Sequence, residues 1–268
     1  ELSHDLAVPR MLEAKAAPGK RVREQLPAYK GTNVYHSLYL PTNYQRGSGK
    51  TYPVIFEYAG NGPYQNQLGD RCTGKVEHCS MGYGISAGKD FIWICLPFVS
   101  HDGKRNQEKW WGEINASVAY CKAAVSHAVQ NYQVDRRHVF LCGFSRGAIA
   151  CNYIGLHDDE IAKLWCGMIC HSHYDGVRNW NYADSDRSSA LRRLQRLGKT
   201  PQWISQEKST KETRRFIDEA GVKGNFTYMD LPFANHTDQW LLKKIPQREN
   251  LREWVQEILT EKKGTAER

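Results

Sequence analysis

The chain has no apolar run of about 18 residues, the least a membrane-crossing helix needs, so no segment is expected to span a bilayer. It has no internal repeat and no low-complexity segment, which excludes solenoids, propellers and fibrous proteins. It carries no C-x-x-C, no H-E-x-x-H and no H-x-x-x-D-H, the spacings that gather a zinc ion or a pair of metals. No nucleic-acid-binding motif is present, and the basic residues are scattered except in Arg187–Lys199 and at Lys262-Lys263. Nucleic acid is therefore not an expected partner, despite a net charge of +8 and a pI of about 9.0. That charge reads either as a basic soluble surface or as attraction to acidic polymers and anionic envelope material. No signal peptide is visible in the sequence as given, which fits a chain that never had one or one that begins after its removal.

What is present suits one α/β domain. With 268 residues, 40% of them hydrophobic, the chain can bury a large core. Residues 1–30 are polar and mixed and read as a loosely packed N-terminal arm, leaving residues 31–268 as a single α/β domain. Pro53–Tyr58 and Phe91–Pro97 are nearly continuous apolar runs, the pattern of strands in a parallel sheet covered on both faces. Ile114, Val118, Cys121, Val125, Ala128 and Tyr132 recur at helical spacing. Further strands are expected at 34–40, 138–142, 164–170, 201–205 and 226–231. Further helices are expected at 148–156, 186–197, 211–220 and 251–261. Such alternation argues for a doubly wound, mostly parallel sheet flanked by helices. The stretch from Gly62 to Lys89 is glycine-rich without helical period and reads as an elaborated loop near the site.

Of the eight cysteines, Cys95, Cys142, Cys166 and Cys170 lie in apolar strand-like runs and Cys121 on an apolar helix face, as small core residues do. Cys72 and Cys79 instead flank a polar loop, CTGKVEHC. Either they close a short disulfide ring or they remain two thiols. A ring would favour export, and a secreted or periplasmic protein is expected, with a cytoplasmic one the alternative.

The chemistry gathers at FLCGFSRGA, residues 140–148. Ser145 stands between Gly143 and Gly147, after a strand and before a helix. A G-x-S-x-G turn there exposes the serine hydroxyl at a sharp bend. A serine hydroxyl needs a base to take its proton. His236, in NHTDQW just after the last expected strand, is the best placed of the ten histidines. A developing oxyanion needs preorganised donors. The backbone N–H of Arg146 is one candidate, and the loop after the Pro53–Tyr58 strand supplies the other, with Asn61 the first choice and Gly62 beside it.

YAGNGP, VDRRHVFLCGFSRGA and NHTDQW, in this order among the strands, resemble the α/β-hydrolase superfamily. The helix leading into Ser145 is similar to that of esterases of the polyhydroxybutyrate-depolymerase and feruloyl-esterase type. The resemblance covers roughly residues 33–260. It implies a serine, acid, histidine triad in that chain order, with Ser145 as nucleophile and His236 as base. The acid departs from the pattern. Those esterases place an aspartate just beyond the strand before the histidine, but residues 201–210 contain none. Glu207 is the only carboxylate near that strand end, and Asp175 in CHSHYDG is the alternative.

HSHYDG also admits a metal reading, since His171, His173 and Asp175 alternate as ligands on one face of an extended chain would. Set against the missing partner motif, the same residues serve as the rim of the serine site, with His173 among the substrate-binding candidates. The side chain of Arg146 either enters the cleft to meet an acidic substrate or forms a surface ion pair. Trp110 and Trp111 either stack on sugar or phenolic rings or pack in the core. The sequence thus points to a serine esterase that needs no cofactor, acting on small-molecule or polysaccharide-linked esters. A peptidase of prolyl-oligopeptidase type and a non-catalytic carbohydrate- or partner-binding module are the alternatives.

Overall fold

The computed structural model describes residues 3–60, 64–67, 71–111 and 113–264. Nine strands form one sheet: β1 (Met11–Leu12), β2 (Arg21–Glu24), β3 (His36–Tyr39), β4 (Tyr52–Tyr58), β5 (Ile92–Leu96), β6 (Val134–Phe144), β7 (Gly167–His171), β8 (Gln202–Glu207) and β9 (Phe226–Leu231). Their order across the sheet is β1-β2-β3-β5-β4-β6-β7-β8-β9. Only β3 runs antiparallel to its neighbours. The expected mostly parallel α/β sheet is therefore observed.

Alternation along the strands explains why both faces are covered. Val54, Phe56 and Tyr58 of β4 pack in one core, with helix α2 (Asn115–Asn131) and helix α3 (Arg146–Tyr153). Ile55 between them faces the other core, shared with helices at residues 81–86 and 246–264. Burying each such side chain contributes about 1.5–3 kcal/mol, so a strand apolar on both faces has no stable place at a solvated edge.

Two expectations fail. The first 30 residues are not a loose arm: they supply β1 and β2, and β2 pairs with β3 in register Arg21↔Tyr39 to Glu24↔His36. RVRE carries no apolar alternation, which hid it. Its anchor is a buried cation: Arg21 donates to Ser37 Oγ at 2.7 Å and to the Val76 carbonyl at 2.7 Å, and lies over the Trp93 ring at 4.3 Å. Nor is the Gly62–Lys89 stretch wholly loop, because Met81–Ser86 is a short helix. Its glycines are packing devices, not breakers. A Cβ on Gly82 would lie 2.2 Å from the Trp93 ring, and one on Gly84 2.6 Å from Leu241 Cβ. The buried Glu57 carboxylate holds the helix start, accepting from the N–H groups of Ser80, Met81 and Gly82 at 2.9–3.1 Å and from Trp93 Nε1 at 2.7 Å.

No disulfide joins the described cysteines. Cys72 packs with Ile55 and Phe144, whereas Cys79 packs with Trp93 and Cys95 in a separate cluster. The two thiols of CTGKVEHC point into different cores, so the ring does not close and its argument for export falls away.

Candidate active site

The loops carrying the candidate residues leave β6, β7 and β8 at their carboxyl ends and follow β9. Central β6, flanked by β4 and β7, delivers Ser145 directly into α3. The backbone there is forced: Ser145 has φ 57° and ψ −123°, a region that non-glycine residues avoid at a cost of about 1–3 kcal/mol. The flanking glycines permit it. A Cβ on Gly143 would sit 2.2 Å from the Gly147 carbonyl oxygen, and one on Gly147 would sit 2.2 Å from the Tyr58 carbonyl oxygen. The Ser145 N–H is tied to the His171 carbonyl on β7 at 2.9 Å.

Three side chains from distant segments meet at this turn. His236 Nε2 lies 2.9 Å from Ser145 Oγ. On the other side of the ring, His236 Nδ1 lies 3.0 Å from Glu207 Oε1, at the end of β8. The glutamate's extra methylene lets a carboxylate that is still part of the strand reach the imidazole, in place of an aspartate further along a loop. Burial works against the charge on Glu207, but the His236 bond, the nearby His171 and the Ser172 hydroxyl outweigh it and hold the carboxyl below its ordinary range.

Ser172 was not among the sequence candidates. Its hydroxyl contacts both Glu207 oxygens at 2.7 and 2.8 Å and lies 2.6 Å from His236 Nδ1. Donating its one proton to the carboxylate leaves its lone pairs to accept from the imidazole N–H. Its φ of 80° aims it there, and no sequence signal marks that conformation in a serine between two histidines.

The same bend breaks the alternation on which the metal reading rested. His171 is buried and contacts Ser205 Oγ at 3.0 Å and the Thr237 carbonyl at 2.7 Å. His173 packs beside His236 at 5.2 Å and Trp180 at 5.3 Å between ring centroids. Burial, reinforced by His236, pushes its pKa down to about 3, so it stays neutral beside the site. Asp175 turns away altogether and forms a buried bidentate pair with Arg193 at 2.8 and 3.0 Å. It does not contact His236. Among the described residues, the ligand-type atoms that do cluster are those of Glu57, Cys79 and Cys95, within 4.8 Å of one another. Both Glu57 oxygens there already accept hydrogen bonds, and Arg21 Nη2 stands 3.5 Å from Cys95 Sγ, an environment hostile to a further cation.

Arg146 opens α3, where backbone N–H groups have no acceptor within the helix and the helix dipole favours negative charge. Asn61 and Gly62 lie outside the described residues. Trp110 is fully buried, donates its Nε1–H to the Arg146 carbonyl at 3.2 Å and packs on Tyr153, so it braces the helix start and offers no face to a ligand. Trp111 is half-buried, with the Arg146 guanidinium 5.0 Å from its ring.

The mostly parallel sheet and its flanking helices match solved structures of esterases and serine peptidases. This is the α/β-hydrolase fold. A thermostable esterase matches with a TM-score of 0.55 at 14% identity, over 88% of this chain and 62% of that one. A fungal esterase from Rhizomucor miehei matches with a TM-score of 0.58 at 12% identity, over 91% and 85%. The Pyrococcus horikoshii acylaminoacyl peptidase matches with a TM-score of 0.56 at 11% identity, over 90% and 41%. The chain thus spans less than two thirds of the thermostable esterase and of the peptidase. No protein-family model and no curated protein matches the sequence. In this fold the carboxyl ends of β6, β8 and β9 bring the serine, the glutamate and the histidine together.

Proposed function

We propose that this α/β-hydrolase is a serine hydrolase that cleaves carboxylic esters through an acyl-enzyme. The observation that carries the reading is the unbroken hydrogen-bond chain Ser145 Oγ, His236 Nε2, His236 Nδ1, Glu207 Oε1, with links of 2.9 and 3.0 Å. In this reading His236 takes the Ser145 proton as Oγ bonds to the acyl carbon. Glu207 keeps the imidazole in the tautomer with Nδ1 protonated and stabilises the imidazolium that forms. The tetrahedral oxyanion meets the Arg146 N–H, with a second donor expected from the Asn61-Gly62 loop. On collapse the carbon–oxygen bond to the alcohol breaks and His236 returns the proton to the leaving oxygen. Water then repeats the sequence and releases the acid. Every proton is carried by His236, and the proposed cycle draws on no cofactor.

The test is a fluorophosphonate probe together with 4-nitrophenyl acetate and butyrate. The wild-type protein is expected to label at Ser145 and to release nitrophenol. Ser145→Ala is expected to lose both while folding normally, since the change keeps the Cβ and removes only the hydroxyl. A protein that neither labels nor turns over, or a Ser145→Ala variant with full activity, would overturn the reading and return the fold to a binding role. 4-Nitroanilide substrates separate an esterase from a peptidase.

A further inference from the structure

The side chain of Arg146 has an unusual environment for a cation. Its guanidinium carbon lies 3.7 Å from the Trp180 ring centroid and 5.0 Å from that of Trp111. Among the described residues it forms no ion pair, and its side chain donates no hydrogen bond. Among the described residues, the two candidate acids are engaged elsewhere: Glu207 by His236 and Ser172, Asp175 by Arg193. Burial pushes the Arg146 pKa down, against a weak opposing pull from Tyr182, so its charge is held at a cost.

Stacking satisfies only the faces of a guanidinium. Its N–H donors lie in the plane, and the edge they form matches a carboxylate bidentately. Both indoles lie against the guanidinium, and among the described residues no acceptor takes its N–H donors. The position is one residue from Ser145, and the Trp180 ring against its guanidinium also packs on His173, which lies beside His236. We propose that Arg146, clamped by Trp180 and Trp111, is the specificity residue of this site and selects esters that carry a free carboxylate near the scissile bond. The inference rests on the serine-hydrolase reading and names its substrate class. A neutral ester would leave the half-desolvated edge unpaired, which is how a polar pocket rejects an analogue lacking the matching group.

The experiment uses two matched ester pairs. The monoester of glutaric acid with 4-nitrophenol is compared with 4-nitrophenyl valerate, placing the carboxylate on the acyl side. 3-Acetoxybenzoate is compared with 3-acetoxybenzamide, placing it on the alcohol side. The wild-type protein is expected to favour the anionic member of one pair by at least about 10-fold in kcat/KM, mostly through KM, the scale of a hydrogen-bonded charge pair. Arg146→Met should erase that preference, and Arg146→Lys, which keeps the charge but loses the fork, should retain part of it. No preference in either pair, or a preference that survives in Arg146→Met, overturns the proposal. So does an equal fall for both members in Arg146→Met, because that marks a side chain acting on the oxyanion. If Ser145 neither labels nor turns over any ester, the hydrolase reading has failed, and calorimetry decides separately. Binding of the two anionic esters to Ser145→Ala that disappears in Ser145→Ala/Arg146→Met supports the clamp; absence of binding ends it.

Discussion

At the residue scale, the two candidate acids separate cleanly. Glu207 touches His236, whereas Asp175 is buried against Arg193. Glu207→Gln should therefore lower kcat by at least about 10²-fold with a small change in KM, as loss of the group that orients a general base does. Asp175→Asn should leave kcat of the folded protein within about 10-fold. Its effect belongs to stability, because it strands the buried Arg193 at a cost of about 3–5 kcal/mol. Steady-state kinetics and thermal melts on both variants check this, and the reverse pattern would move the acid to β7. Ser172 adds a second comparison. Ser172→Ala removes a hydrogen bond that helps keep Glu207 ionised. Its kcat should fall about 10-fold with KM unchanged, and the acid limb of the pH profile should move to higher pH. An unmoved limb would make Ser172 merely structural.

At the scale of elements, α1 (Met81–Ser86) is the informative piece. It is six residues long with glycine at two positions, and nothing in an isolated sequence of that kind asks for a helix. It forms because Glu57 caps it and because Gly82 lets it lie on Trp93. Gly82→Ala should cost about 1–3 kcal/mol through overpacking, although alanine is the better helix former. A melting temperature equal to or above that of the native protein would refute this account. What was legible follows the same logic. Strands β4 and β5 and the second half of β6 are largely apolar on both faces, and the elbow glycines are required by backbone contacts on either side, so local composition reveals them. His236 could be placed from strand order, whereas Glu207 remained one of two acids beside Asp175. β1, β2, α1, Ser172 and the separate cores of Cys72 and Cys79 were hidden because each is decided by what it packs against, and those partners lie far away in the chain.

At the scale of the molecule, one buried acid ties stability to pH. Asp238, two residues beyond His236, accepts from Ser80 Oγ at 3.0 Å, and the Ser80 N–H is in turn bound to Glu57. Burial and the Glu57 carboxylate push the Asp238 pKa up to about 7, from 3.8 in an unfolded chain. The folded state thus holds a proton that the unfolded state releases, so this group's contribution falls as pH rises from about 4 to about 7 and is flat above. Asp238→Asn cannot ionise. Its advantage in melting temperature over the native protein should widen across that window and then level off, corresponding to roughly 4 kcal/mol at most. An advantage independent of pH would contradict the assignment.

The hydrogen bond between Ser145 and His236 closes a separation of 91 residues. A ribosome adding about 5–20 residues per second makes Ser145 several seconds before its partner exists. During that interval β6 and α3 can form, but the serine has no base beside it, and the strain at Ser145 has nothing to serve. A chain clipped or stalled before β9 keeps most of the sheet and lacks the site. The contact is non-local and its loop is long, so it belongs among the last to form. The contact at Ser145 therefore reports that synthesis has passed β9 and His236, and no chain cut short of them carries it.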